Sequence, residues 1–260
     1  MTAVEAPPRR RGRKLWVALL VLIVVLGGLF LVADRVAAYV AARTIATQAK
    51  KELAARDITT PTDPTVTVGG FPFLTQVARG RYQSITIHVD HPTSQGVTFD
   101  TLDVVADGVN ASTSAVINRT GTITADTVTG TTSLGWAGVN KLMNTSGFGG
   151  AGASASAMPD GQVQVKVPVS LGGISTTIVA TGNLTVGQGV AHLKINNVTA
   201  EGGTLPSVIN GLVGSIKQSL SVDIKIPPLP YGLVVKDVKA SQQGLAVTAT
   251  AANVALSSGS

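Results

Sequence analysis

Apolar and polar residues alternate with a period of two through much of this chain. In Ser84–Asp90, Ile85, Ile87 and Val89 share one face, and Ser84, Thr86 and His88 share the other. In Gln162–Ser170, Val163, Val165, Val167 and Val169 alternate with Gln162, Gln164, Lys166 and Pro168. In Ala191–Asn196, Ala191, Leu193 and Ile195 alternate with His192, Lys194 and Asn196. One apolar and one polar face is the pattern of an antiparallel sheet wetted on one side. Breaks rich in Gly, Asn and Asp separate further predicted strands at 64–69, 97–109, 120–130, 173–181, 222–227, 232–240 and 244–254.

Three segments change to helical spacing. Ala38, Ala42, Ile45, Ala49 and Leu53 recur on one face of a helix predicted over 34–57, which Pro61 and Pro64 end. Residues 133–145 predict a short helix. A better one is predicted over 205–220, where Leu205, Val208, Ile209, Leu212, Val213, Ile216 and Leu220 form a continuous apolar stripe. Thr204 suits its N-cap and Pro206 its first turn, while Gly211 and Gly214 weaken it by about 1 kcal/mol each. The small residues of 146–159 predict a flexible loop.

One run follows neither period. Leu15–Ala33 holds 19 residues and no charge. A helix of about 20 apolar residues spans the roughly 30 Å bilayer core. Val36-Ala37-Ala38 would also serve as the small-residue cleavage site of a secretory signal, so anchor and signal both remain readings of this run. Arg9, Arg10, Arg11, Arg13 and Lys14 precede it, which holds that end in the cytoplasm and exports the remainder. The predicted organisation is a cytoplasmic tail at 1–14, a span at 15–33, a helical stalk at 34–60, an exported domain at 61–256 and a disordered tail at 257–260.

This division changes the meaning of the charge. The chain has 20 basic and 14 acidic residues, and residues 1–14 take five of the former and one of the latter. The remaining 15 and 13 leave the exported part nearly neutral, so the basic excess reports topology and no nucleic-acid partner is expected. There is no cysteine, which excludes disulfides and thiolate metal sites. Gly147, Gly149 and Gly152 fit a dinucleotide-binding spacing but follow a helix rather than a strand, the wrong context for it. His88, Asp90 and His91 lie close in sequence, yet His88 and His192 fall on polar strand faces and read as surface histidines. Five Asn-x-Ser/Thr sequons mark polar surface. No catalytic residues, metal or cofactor are predicted.

The apolar faces remain as the candidate site. A curved sheet around an amphipathic helix encloses either a dry core or an elongated apolar groove, and the same inward-facing residues serve both. The stretch GGFPFLTQ, 69–76, interrupts the strands with two of the chain's five phenylalanines. Gly69-Gly70 permits a sharp turn, and Pro72 suits the first turn of a short helix that Gly80 ends. Phe71, Phe73 and Leu74 then either staple this corner to the core, close one end of an apolar tube, or touch the membrane.

Two blocks carry a family resemblance. VTVGGFPFLTQVARGRYQSITIHVD (66–90) and LPSVINGLVGSIKQSLSVDIKIPPLPYGLVVKDVKASQQGLAVTATAANV (205–254) resemble the LmeA-like phospholipid-binding family of actinobacterial envelope proteins. The resemblance spans roughly 34–256. It implies an α+β fold like the tubular lipid-binding (TULIP) proteins, with a twisted antiparallel sheet wrapped around amphipathic helices. It also implies a non-enzymatic, extracytoplasmic membrane protein that binds phospholipid and supports maintenance of envelope lipids and lipoglycans. The lining expected on this view includes Ile85, Ile87, Val163, Val165 and Val167, together with Leu193, Ile195, Leu212 and Ile216. Trp136 is expected at the membrane interface or in the core. The competing expectation is a structural scaffold with a dry core.

Overall fold

The computed structural model describes residues 11–94, 96–112, 122–146, 152–171, 174–187, 190–202, 211, 213–225 and 229–257. The apolar run and the stripe behind it form one helix, α1 (Arg11–Ala55). No proline interrupts it, so the predicted span and stalk are one rod about 68 Å long at 1.5 Å per residue. Side chains of 16–33 are exposed, whereas Ala38, Ala42, Ile45, Ala49 and Leu53 are half-buried against the domain.

Three antiparallel sheets follow. The largest contains β2 (Thr65–Val68), β3 (Arg81–Asp90), β6 (Thr101–Asn110), β7 (Ile123–Gly135), β13 (Val234–Ala240) and β14 (Gly244–Ser257), in the order β13-β14-β7-β6-β3-β2. The second contains β8 (Ser154–Ala157), β9 (Val163–Leu171), β10 (Ile174–Gly187), β11 (Val190–Ala200) and β12 (Val222–Lys225), in the order β12-β11-β10-β9-β8. A small sheet joins β1 (Ile58–Thr59), β4 (Thr93–Ser94) and β5 (Val97–Thr98). The expected α+β class with antiparallel sheets is what the chain adopts, consistent with a TULIP-like lipid-binding fold.

Several boundaries differ from the sequence expectation. The strand expected over 97–109 divides at Phe99 and Asp100, whose N–H groups turn aside to Pro92 O at 2.9 Å and Ser133 O at 2.8 Å. Residues 133–135, expected to begin a helix, end β7 because Ser133 and Leu134 pair with Ala246 and Leu245. The helix there, α3, is Trp136–Ser146. Within the expected loop 146–159, Ser154–Ala157 is β8, paired to β9. Ala153 and Ala155 are buried, and Asn140 Oδ1 accepts the Ala155 N–H at 2.6 Å, so small size here serves close packing. Residues 147–151 lie outside the described residues. Of the helix expected over 205–220, α4 (Val213–Leu220) is described, while 205–210 and Leu212 lie outside the described residues. Ser257, expected in the tail, lies in β14 and pairs with Ile123; 258–260 are outside the described residues.

Two apolar clusters share the long strands β7 and β14. One gathers Val163, Val165, Ile178, Ala180, Leu193 and Ile195 from the five-stranded sheet with Leu134, Val139 and Met143. The other gathers Phe73, Tyr82, Val109, Ala125, Val128 and Val254, with Ala37, Ala38 and Ala41 of α1 packed on it.

The GGFPFLTQ corner belongs to the second cluster. It forms α2 (Phe73–Arg79), with Pro72 as N-cap at φ −73°, ψ 143°, one residue earlier than the first-turn position expected. The Phe71–Pro72 peptide is cis. Gly80 closes the helix at φ 64°, a left-handed conformation in which glycine carries no Cβ penalty. Pro72 supplies no side-chain cap, and Asp34 of α1 does so instead. Its Oδ1 accepts the Leu74 N–H at 2.8 Å, and Arg35 Nη2 lies 3.2 Å from Oδ2.

The two phenylalanines have separate roles. Phe73 is 6% exposed, its ring centroid 6.0 Å from that of Tyr82. Phe71 is 58% exposed beneath the Arg35 guanidinium, 4.9 Å from the ring centroid. Phe73→Ala is expected to cost ~3–5 kcal/mol. Phe71→Ala loses one exposed cation–π contact and should cost less than ~1 kcal/mol. Denaturant melts of the two variants in detergent check this split, which equal losses would contradict.

Candidate functional site

Along β9 a single apolar face changes role. Val163 and Val165 are fully enclosed, whereas Val167 and Val169 reach an open groove of about 270 Å³ beneath α4. Ile178 of β10, opposite Val167 in register, forms the floor. Ile216 and Leu220 form the α4 wall, and Ser215 and Ser219 supply the only polar side chains among the described lining residues. Val213, Ile216 and Leu220 follow helical spacing, so one side of α4 faces the sheet. Lys217 Nζ donates to Asn196 O at 2.8 Å, and Ser221 Oγ accepts the Ile195 N–H at 3.0 Å. These bonds hold α4 to β11, beside the groove. Five aliphatic residues and two serines, with no charged side chain among the described lining residues, make a surface suited to hydrocarbon.

Of the residues expected to line such a site, Val167 and Ile216 come together here. Val163, Val165, Leu193 and Ile195 lie in the adjoining packed cluster. Trp136 is half-buried against that cluster, and its indole N–H donates to Ser241 O at 2.9 Å. Ile85, Phe73 and Leu74 belong to the other cluster, Ile87 is half-buried between Val66 and Val104 in register, and Phe71 is exposed. Leu212 is outside the described residues. Val169, Ile178 and Leu220 line the groove but were not among the expected lining residues. Val169 continues the β9 alternation and Leu220 the helical stripe, so periodicity marked both as inward-facing without showing how far the groove runs.

A sequence model described as LmeA-like phospholipid-binding matches residues 32–250. No curated protein and no solved structure matches the chain.

Charged chemistry lies elsewhere, on the polar face of the large sheet. His88 Nδ1 is 2.6 Å from Asp103 Oδ1 and its Nε2 is 3.1 Å from Asp90 Oδ1. His88 is thus bracketed by carboxylates rather than simply solvated. Both ring nitrogens are engaged, and among the described residues no group of His, Asp or Glu could hold a metal ion. The hydrogen bond with Asp103, then that with Asp90, outweighs burial and raises His88 above the ordinary 6.5. A raised folded value means stabilisation that is complete below 6.5 and lost as pH rises through that raised value. The ring is 37% exposed, so screening limits the effect to ~1 kcal/mol or less. The wild type should exceed His88→Gln in thermal midpoint by up to about 4 °C near pH 6. The gap should close as pH rises through the raised His88 value, and a gap that widens with pH would contradict the ion cluster.

Proposed function

The chain belongs to the LmeA-like phospholipid-binding family, and from that premise we propose that the groove under α4 holds a phospholipid acyl chain outside the cytoplasm. The family is lipid-binding and non-catalytic, and the groove is the observation that carries this reading. Ligand pockets run from ~300 to 1,000 Å³, so about 270 Å³ admits part of one acyl chain rather than a whole lipid. Ten methylenes transferred from water into it would gain about 8 kcal/mol at ~0.8 kcal/mol each. Leu15–Ala33 of α1 is read as a membrane anchor with its basic end in the cytoplasm, which keeps the domain beside its lipid source. In the envelope such a domain would hold or pass phospholipid in support of lipid and lipoglycan maintenance.

The test uses the full chain in dodecyl maltoside, exposed to vesicles carrying pyrene-labelled phosphatidylglycerol, followed by lipid mass spectrometry. One lipid per chain is expected. Ile216→Trp fills the groove and should lower the lipid retained per chain. Lipid bound only around the anchor would be indifferent to this substitution, so equal uptake by both proteins, or none by either, sinks the proposal.

A further inference from the structure

A second feature lies at the other cluster, where α1 leaves its apolar run. Asp34 and Arg35 directly follow Ala33. At 1.5 Å per residue Arg35 stands about 3 Å beyond the run and Tyr39 about 9 Å. The headgroup layer is roughly 5–8 Å deep on each side of the hydrocarbon. The GGFPFLTQ corner is fixed at the same level, because Leu74 N–H bonds to Asp34 and the Arg35 guanidinium covers the Phe71 ring. Phe71 therefore shows an exposed aromatic face at the height where the span ends. One turn further, Arg43 lies 4.8 Å over the ring of Tyr39, which is itself 57% exposed. Aromatic rings concentrate at membrane interfaces, and arginine binds phosphate oxygens in a fork.

Resting on the reading of Leu15–Ala33 as a span, we propose that Phe71 and Arg35 form a headgroup contact. The Phe71 ring lies in the interfacial layer, and the Arg35 guanidinium binds a phosphate of the leaflet from which α1 emerges. The occupant is the bilayer itself, argued from the continuity of α1 with the apolar run and from the charge complementarity of guanidinium and lipid phosphate. The contact is separate from the groove, since neither residue lines it. It holds the domain at one orientation to the membrane, where a lone helical stalk would let it swing.

The absence of native cysteine permits single labels in the full chain. Phe71→Cys, Leu22→Cys and Lys236→Cys are each nitroxide-labelled and reconstituted into phosphatidylcholine–phosphatidylglycerol vesicles. Collision with dissolved oxygen against a water-soluble nickel chelate reads depth. The label at 22 should sit in hydrocarbon, that at 236 in water, and that at 71 between them with an oxygen-to-nickel ratio several-fold above 236. Adding Arg35→Gln should lower the ratio at 71 and leave 22 unchanged. A label at 71 as wet as that at 236, with 22 in hydrocarbon, overturns the headgroup contact and spares the span. A wet label at 22 overturns both, and neither outcome bears on lipid uptake by the groove.

Discussion

The buried carboxylate of Asp34 joins the two halves of this molecule. It is 0% exposed, and a buried charge is tolerated only when hydrogen-bonded and paired. Burial by itself pushes its pKa up. The N–H groups of Leu74 and Phe73 and the Arg35 guanidinium outweigh that and hold the group below the ordinary carboxylate value of 3.8. It is therefore ionised near neutral pH, as the N-terminus of α2 favours. Because Pro72 offers no side-chain acceptor, the cap of α2 comes from an acid 40 residues earlier. That bond fixes the corner against α1, turns Phe73 into the core and leaves Phe71 beside Arg35.

The second constraint is coverage of a sheet face. Period-two patterning produces an apolar face, but what packs on that face decides between core and groove. Val163 and Val165 share their cluster with Val139 and Met143 of α3 and are buried. Two steps along the same strand, Val167 and Val169 lie beneath α4, and the groove opens. Enclosed core and open groove thus stand on one strand, a few residues apart.

This explains what was legible in the sequence. Alternation located the strands around Ile85, Val165 and Leu193, and helical spacing identified the half-buried stripe of α1 from Ala38 to Leu53. Both are local consequences of chain geometry. Asp34 was passed over because its role depends on the distant N–H of Leu74. Residues Ser154–Ala157 read as loop because their composition has little strand preference, yet pairing with β9 overrides it. Ile178 was missed as a groove residue because its place depends on register with Val167, which no single strand encodes.

The long strands β7 and β14 set the distance between the two features. Ala125 and Val128 of β7 belong to the cluster holding the Asp34 corner, and Leu134 belongs to the cluster next to the groove. Nine residues of strand separate Ala125 from Leu134, about 30 Å at 3.4 Å per residue. The groove and the corner thus belong to different clusters, and Phe71 is not among the described residues that line the groove. A lipid taken up there must leave the leaflet to reach the site, at the cost of exposing acyl methylenes on the way.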